Sequence, residues 1–200
     1  MDPHLRRSWF FVLLISPYVL VFFLLMISRP GDPVSFTMRV SGLFGFLSLS
    51  MGILMNLLKK EIKTILGFPF ITAHHVLVIV GLILITLHPV ILALWTSDLS
   101  VFVPETSSLS SFLTSGGRVA FILIYIGFFA AIFRSALKGR WVYIHRVVYL
   151  AMILGIAHAN LIGQDLMSPM IFILYNGIAA GVVITGIIQV RHRRRVASRY

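Results

Sequence analysis

The feature that most constrains this chain is a series of six apolar runs, each close to the length that crosses a lipid bilayer. They cover approximately residues 9–27, 36–58, 71–95, 119–137, 141–162 and 169–190. A helix needs about 20 apolar residues to cross about 30 Å of hydrocarbon. The sequence therefore predicts an all-α fold, a six-helix transmembrane bundle.

Composition supports this class. The chain of 200 residues is 58% hydrophobic and only 12% charged, with a mean hydropathy of +0.98. A soluble domain of this size would expose too much apolar surface. The length leaves room for one bundle, so residues 1–200 are predicted to form a single domain. Cysteine is absent, which excludes disulfides, cysteine-ligated iron–sulfur clusters and thiolate chemistry within the chain.

The basic residues orient the predicted bundle. If the N-terminus is cytoplasmic, all of the 17 Lys and Arg residues except Arg29, Arg39 and Arg118 lie on the inner side. Cytoplasmic loops are enriched in Lys and Arg, so both termini are predicted to be cytoplasmic, at the plasma (inner) membrane. This topology explains the net charge of +11 without nucleic acid. The basic tail is interpreted as an anchor on anionic membrane lipid or a docking site for a partner.

Four histidines lie near the ends of the third and fifth predicted helices. His74 and His88 are fourteen residues apart, and His145 and His158 are thirteen apart. Both helices run outwards, so His74 and His145 are at an inner level and the other two at an outer level, about 20 Å away. One such histidine alone would suggest a hydrogen-bonded core residue. The correlated positions indicate function, because metal-binding side chains in a membrane are costly and usually face the bundle interior.

Two imidazoles at each level suit axial ligation of haem iron from both faces of the porphyrin. We therefore expect two b-type haems, with His74 and His145 as iron ligands of the inner one and His88 and His158 as ligands of the outer one. Zinc fits less well, because it needs four ligands at one point and each level supplies only two or three histidines.

Helical register bears on the relative directions of the histidines within each helix and on the choice between His74 and His75. At about 100° per residue, His88 returns to within about 40° of the face of His74, whereas His158 falls about 140° from His145. The fifth helix is therefore predicted to contain an irregularity near Gly155, or the two haems sit at different angles. His75 is an alternative to His74 as the ligand, although His74 has the better register with His88.

These residues resemble the ferric reductase-like transmembrane domain, the haem b core of ferric-chelate reductases and NADPH oxidases. The matching segments are His74-His75-x-Leu77, Leu87-His88-Pro89, Trp141-x-x-Ile144-His145-Arg146-x-x-Tyr149, and His158-Ala159 followed by Gly163-x-Asp165. The resemblance covers roughly residues 36–190. It implies that His74 and His145 hold an inner haem b, and that His88 and His158 hold an outer one.

The chain departs from the larger members of that family. They carry a cytoplasmic flavin and nicotinamide domain after the sixth helix, whereas this sequence has ten residues after Val190 and no Gly-x-Gly-x-x-Gly motif in a strand–helix context. The resemblance therefore implies an electron-transfer oxidoreductase subunit with no flavin or NAD site of its own, fed by a separate flavoprotein or by quinol. The chain is also similar in length and histidine layout to the haem subunit of the methionine-sulfoxide reductase system, although the third helix of that subunit opens with arginines.

Several further residues are candidates for supporting roles. Arg146, with Arg140 and Trp141, is predicted to bind the propionates of the inner haem, while Arg118 and Gln164 are candidates at the outer haem. The electron acceptor at the outer face would be ferric chelate, dioxygen or a partner protein. Phe128 and Phe129 are candidates for the space between the haems, or for core packing.

Two other functions compete with the cytochrome. One is a non-redox membrane scaffold or assembly subunit, and the other is a proton-coupled small transporter that uses the intramembrane histidines. The loop from Thr96 to Gly117 is expected either to fold over the outer end of the bundle or to form a mobile connector. Gly177-x-x-x-Gly181 in the last run is interpreted as a close helix–helix contact.

Overall fold

The computed structural model describes residues 3–28 and 31–197, with side chains for residues 5–28 and 31–191. The chain is 90% helical, and the described residues form no strand, which confirms the all-α class. The fold comprises two compact units, Met1–Ile91 and Leu92–Tyr200. Arg29 and the side chains of the arginines from 193 to 199, which contributed to the predicted orientation, lie outside the described residues.

The first unit is a set of helices separated by tight turns. It contains α1 (Pro3–Ile27), α2 (Pro33–Leu54), α3 (Lys59–Leu66) and most of α4 (Phe70–Thr96), with a 3-10 turn at Met55–Leu58 between α2 and α3. The carboxylate of Asp32 caps α2 by accepting hydrogen bonds from the amides of Val34 and Ser35, both at 3.0 Å. At Gly67 the chain leaves α3 with φ +77°, a conformation in which a Cβ would be strained.

The second unit begins with the last residues of α4 and ends with α10, the longest of the described helices. Its helices are α5 (Leu109–Thr114), α6 (Gly116–Ile132), α7 (Arg134–Leu137), α8 (Trp141–His145), α9 (Val147–Ile162) and α10 (Pro169–Ala197). Short 3-10 turns occupy Leu99–Phe102, Lys138–Arg140 and Gln164–Met167. The segment between α6 and α8 is itself helical, since α7 and the 3-10 turn at Lys138–Arg140 occupy it.

Five segments are long and apolar enough to cross a membrane. They are Leu5–Ile27, Pro33–Leu66, Phe70–Thr96, Arg134–Ile162 and Pro169–Arg191. A further apolar helix, α6, has 17 residues. The lengths and compositions of these helices support a multi-pass membrane protein.

The observed helix ends differ from the predicted runs in two places that concern the site. The run predicted at 119–137 begins earlier, at Gly116, and its regular helix ends at Ile132. The run predicted at 141–162 is divided at Arg146 into α8 and α9. The sequence pattern gives the extent of each apolar run. It does not indicate where the backbone changes to a 3-10 turn or where a helix ends.

Glycines allow close contact between the helices that carry the histidines and their neighbours. A Cβ added to Gly45 of α2 would lie 2.8 Å from the backbone nitrogen of Ile85 in α4. In the second unit, a Cβ on Gly127 of α6 would lie 2.5 Å from Cγ1 of Val148 in α9. Helix association in a membrane depends on such close packing, because lipid supplies no hydrophobic driving force between apolar helices.

Gly177 behaves differently. A Cβ built there would have no heavy atom of the described residues within 4 Å. The close contact predicted for the Gly177-x-x-x-Gly181 pattern is therefore wrong at Gly177. Two glycines at this spacing allow another helix to pack closely. Whether a helix does so depends on where the neighbouring helices lie.

Substituting Gly45 by alanine tests the close approach of α2 and α4. The added methyl group would meet the backbone of α4, so we expect Gly45→Ala to lower the free energy of unfolding by about 1–3 kcal/mol, as overpacking does. The measurement is reversible unfolding in mixed micelles, followed by circular dichroism.

Gly177→Ala is the matched control, since its methyl group has open space and alanine favours helix by about 1 kcal/mol over glycine. Equal stability changes in the two variants would contradict the packing described for Gly45.

Candidate functional site

His74 lies in the first turns of α4 and is half-buried. Its Nδ1 is 2.9 Å from the backbone oxygen of Gly52 in α2. A carbonyl oxygen only accepts, so Nδ1 must carry the hydrogen and donate it. The α2 helix changes to a 3-10 turn at Met55, just after this carbonyl.

His88 lies fourteen residues further along α4 and repeats the arrangement. Its Nδ1 donates to the backbone oxygen of Met38 at 3.0 Å. The imidazole lies against Gly42 of α2, where an added Cβ would be 2.8 Å from Nδ1 and 3.1 Å from Cε1. At 1.5 Å per residue, His74 and His88 are about 20 Å apart along their helix.

His145 is the last residue of α8. Its Nδ1 donates to the backbone oxygen of Gly127 in α6 at 2.8 Å. The Trp141 ring, one turn earlier, lies 5.9 Å from the imidazole between centroids. The half-buried imidazole is therefore fixed by a hydrogen bond on one edge and has an aromatic neighbour.

His158 lies near the end of α9 and makes the shortest of these hydrogen bonds. Its Nδ1 donates to the backbone oxygen of Thr114 at 2.6 Å. Thr114 is the last residue of α5, and the amide of Arg118 bonds Ser115 instead, so the Thr114 carbonyl is available to the imidazole. A Cβ on Gly117 would lie 2.8 Å from both Cδ2 and Nε2 of His158.

Each of the four rings carries a hydrogen on Nδ1, which it donates to a carbonyl. In a neutral imidazole with its hydrogen on Nδ1, the lone pair is on Nε2. Histidines that bind metals through Nε2 usually donate Nδ1–H to a carboxylate, a carbonyl or water, and this hydrogen bond fixes the ring orientation and raises the basicity of the ligating nitrogen. The donor set therefore fits axial ligation of haem iron.

The two units contain the same arrangement of acceptors and histidines. The acceptor carbonyls are those of residues 38 and 52 in the first unit, and of residues 114 and 127 in the second. Their separations of fourteen and thirteen residues equal the separations of the histidines. In each unit the first histidine bonds the later carbonyl, so the two segments are antiparallel. Sequence reasoning missed this repeat, although the matching signal was present in Gly42, Gly52, Gly117 and Gly127.

The irregularity predicted in the fifth helix exists, but its predicted position near Gly155 is wrong. It lies at Arg146, between α8 and α9, and Gly155 is inside regular helix. The amide of Tyr149 bonds the carbonyl of Arg146, a 3-10 pattern, at 3.1 Å. A 3-10 step advances about 120° per residue against about 100° in an α-helix, so this one step moves His158 about 20° towards the face of His145. That is a small part of the difference of about 140° expected for a regular helix.

The other predicted site residues have different surroundings. His75 is exposed, and its ring centroid is 5.9 Å from that of His74. The Arg146 guanidinium lies 5.6 Å from the centroid of the Tyr143 ring, a cation–π distance. Arg118 donates to the backbone oxygen of Val103 at 2.7 Å, so part of its hydrogen-bonding capacity serves the outer loop.

The loop from Thr96 to Gly117 is folded within the second unit, which begins at Leu92. The Ser115 hydroxyl bonds Glu105 backbone atoms at 3.3 and 3.4 Å, and α5 packs against α9. Hydrogen bonds from the hydroxyl and amide of Ser100 lower the pKa of Asp98. The segment is therefore folded against helices of its own unit, and α5 at its end supplies the Thr114 carbonyl that bonds His158. That it folds over the outer end of a bundle stays a prediction.

The described residues contain no group of three or more His, Asp or Glu side chains arranged to hold a metal ion. A haem iron takes only two axial protein ligands, so it does not need such a group. Comparison of the chain with family models, curated proteins and solved structures found no match.

The tautomer of the four histidines is a direct test of this geometry. We expect ¹⁵N spectra of histidine-labelled protein in micelles at pH 8 to show a protonated Nδ1 at positions 74, 88, 145 and 158, because each is bonded to a carbonyl. Single His→Gln variants assign the signals. A ring protonated at Nε2 and not at Nδ1 at any of these positions would mean that its carbonyl bond is not formed.

Proposed function

We propose that the chain is a di-haem b-type membrane cytochrome that carries electrons from a donor at the cytoplasmic face to an acceptor at the outer face. One observation supports this proposal above the rest. Each of the four histidines donates Nδ1–H to a backbone carbonyl at 2.6–3.0 Å, with the same register in both units. If the four histidines only filled space between helices, the repetition of this contact in the same register would have no explanation.

Burial and hydrogen bonding favour these four residues over His75. A polar ring between apolar helices is costly unless its hydrogen-bonding groups are satisfied. His74 is half-buried and bonded to Gly52, whereas His75 is exposed. His74 is therefore the better axial ligand of the two neighbours.

The pairing of ligands follows from the predicted topology. His74 and His145 begin their outward-running helices, so we propose that they hold the inner haem. His88 and His158 end those helices, and we propose that they hold the outer haem. Arg146 follows His145 directly at the helix break, and its fixed charge suits a propionate of the inner haem.

The proposed topology has six spans, with both termini cytoplasmic, in the plasma (inner) membrane. Five segments have the required length, and α6, with 17 residues, is at the lower limit for crossing a bilayer. The carbonyl of Gly127 in α6 bonds His145, and that of Thr114, two residues before α6, bonds His158. This antiparallel register places α6 beside a segment of spanning length, Arg134–Ile162, and supports a crossing. The distribution of Lys and Arg then sets the orientation.

A bound haem supplies a one-electron couple, and the chain supplies the ligands, their orientation and an apolar surrounding. The donor is a separate flavoprotein or quinol, and the acceptor is ferric chelate or an outer-face partner protein. We infer this role by resemblance to the ferric reductase-like transmembrane domain and to the haem subunit of the methionine-sulfoxide reductase system. The chain would then be the electron-transfer subunit of a larger oxidoreductase.

The optical spectrum tests the proposal directly. Purified protein should show a Soret band and a reduced b-type α band, with about two haems per chain by pyridine haemochrome. Removing an outer ligand with His88→Ala or His158→Ala should reduce the haem content to about one and stop transmembrane electron transfer in liposomes, because one axial nitrogen is lost.

His75→Ala is the matched control for His74→Ala, since the two residues are adjacent. We expect His75→Ala to keep both haems and His74→Ala to lose the inner one. A colourless protein, or full haem content in both outer-ligand variants, would refute the cytochrome and favour the scaffold or the proton-coupled transporter.

The orientation is testable because the natural chain has no cysteine. Lys60 and Ser107 are exposed residues on the predicted inner and outer sides. In intact cells, a membrane-impermeant maleimide should label Ser107→Cys directly and Lys60→Cys only after permeabilisation. The unmodified chain is the control for background labelling, and the reverse result would invert the topology.

A further inference from the structure

Gly42 and Gly117 lie against the imidazoles of the proposed outer ligands. A Cβ on Gly42 would lie 2.8, 3.1 and 3.2 Å from Nδ1, Cε1 and Cγ of His88. A Cβ on Gly117 would lie 2.8, 2.8 and 3.1 Å from Cδ2, Nε2 and Cε1 of His158. Contacts below 3.0 Å leave no room for a methyl group without movement of the ring.

The near-equal distances show that each glycine lies against the face of the ring. An atom in the ring plane beyond Nδ1 would be much closer to Nδ1 than to the two carbons bonded to it. The distances from Gly42 to the three atoms of His88 differ by only 0.4 Å, and those from Gly117 to His158 by 0.3 Å. Each outer imidazole therefore has a glycine on one face and a carbonyl on its Nδ1 edge.

The inner imidazoles are held in another way. Gly52 and Gly127 supply their own carbonyls as acceptors for His74 and His145. A Cβ on Gly52 would lie 3.6 Å from Nδ1 of His74, an ordinary van der Waals distance. A Cβ on Gly127 would meet Val148, and its nearest atom of His145 is the backbone oxygen at 3.3 Å. Glycine is thus required against the ring face only at the outer level.

We propose that Gly42 and Gly117 are positioning residues that set the ring planes of His88 and His158. This inference deepens the proposed function and rests on it for its redox consequence. The hydrogen bond to the carbonyl fixes which nitrogen faces the acceptor, but it allows the ring to tilt about that bond. Contact with the glycine on one face removes the tilt, so the direction of the Nε2 lone pair is set before any ligand binds.

An alanine at either position would push the ring away from the helix. The Nδ1–H bond to Met38 or Thr114 would then lengthen or break, and the lone pair of Nε2 would turn from its native direction. Axial ligation needs both imidazoles of a pair aimed at one iron, so a tilt in one ring is sufficient to weaken the outer site. The inner histidines would not be affected.

The test compares Gly42→Ala and Gly117→Ala with Gly177→Ala, whose methyl group has open space. The outer haem is identified as the component missing from His88→Ala. We expect both test variants to lose at least half of the outer haem, or to shift its reduction potential, with the inner haem unchanged. Gly177→Ala should match the natural protein. Unchanged outer haem, or equal changes in both haems, would overturn the inference.

A second readout does not depend on haem. In ¹⁵N spectra, Gly42→Ala should change the imidazole signals of His88 and leave those of His74 in place, and Gly117→Ala should do the same for His158 and His145. If the natural protein binds no haem, the proposed function fails, and these spectra still decide the positioning role. Unchanged signals from the outer histidines would overturn it.

A double-mutant cycle covers the case in which Gly42→Ala folds poorly. If the methyl group conflicts with the imidazole, removing the ring should relieve the conflict, so Gly42→Ala should destabilise the His88→Ala background much less than the natural chain. Equal destabilisation in both backgrounds would show that the methyl group meets something other than His88, and would overturn the inference at this position.

Discussion

The organisation of this protein depends on one kind of hydrogen bond, from the Nδ1–H of an imidazole to a backbone carbonyl of a neighbouring helix or helix end. Four such bonds, at 2.6–3.0 Å, connect segments that are mainly apolar. In a medium without water, a polar ring must find a partner within the protein. The partner of each Nδ1–H here is the main chain itself.

Close packing makes these bonds possible. A carbonyl inside a helix is covered by its own backbone and by neighbouring side chains, so an imidazole reaches it only where the neighbouring helix comes very near. Glycines at positions such as 42, 45 and 127 allow that approach. At Thr114 the acceptor is reached differently, because a short helix ends there and its last carbonyl is exposed to the ring. Fold and site thus have the same cause, since the contacts that pack the helices also orient the histidines.

A repeated arrangement of this kind suits a cofactor that needs ligands at two depths. In the first unit both histidines lie on α4, and in the second they lie on the successive helices α8 and α9. In each unit the acceptors on the antiparallel segment have the same separation as the histidines. A path for electrons through a membrane requires redox centres at separate depths, and their ligands must be held in fixed positions. The segment 97–115 helps to hold His158, because α5 at its end supplies an acceptor for the imidazole and packs against α9.

The sequence by itself determined the all-α class, the membrane setting and the candidate histidines, because apolar runs and residue spacing are local properties of the chain. Register alone also predicted that the segment from His145 to His158 contains an irregularity. Only the tertiary structure decided where it lies, at Arg146, and which carbonyl each imidazole meets. It also decided that Gly177 has open space while Gly42 lies against a ring. These features depend on how closely one helix approaches another, and the distance between two helices is not encoded in the pattern of either one alone.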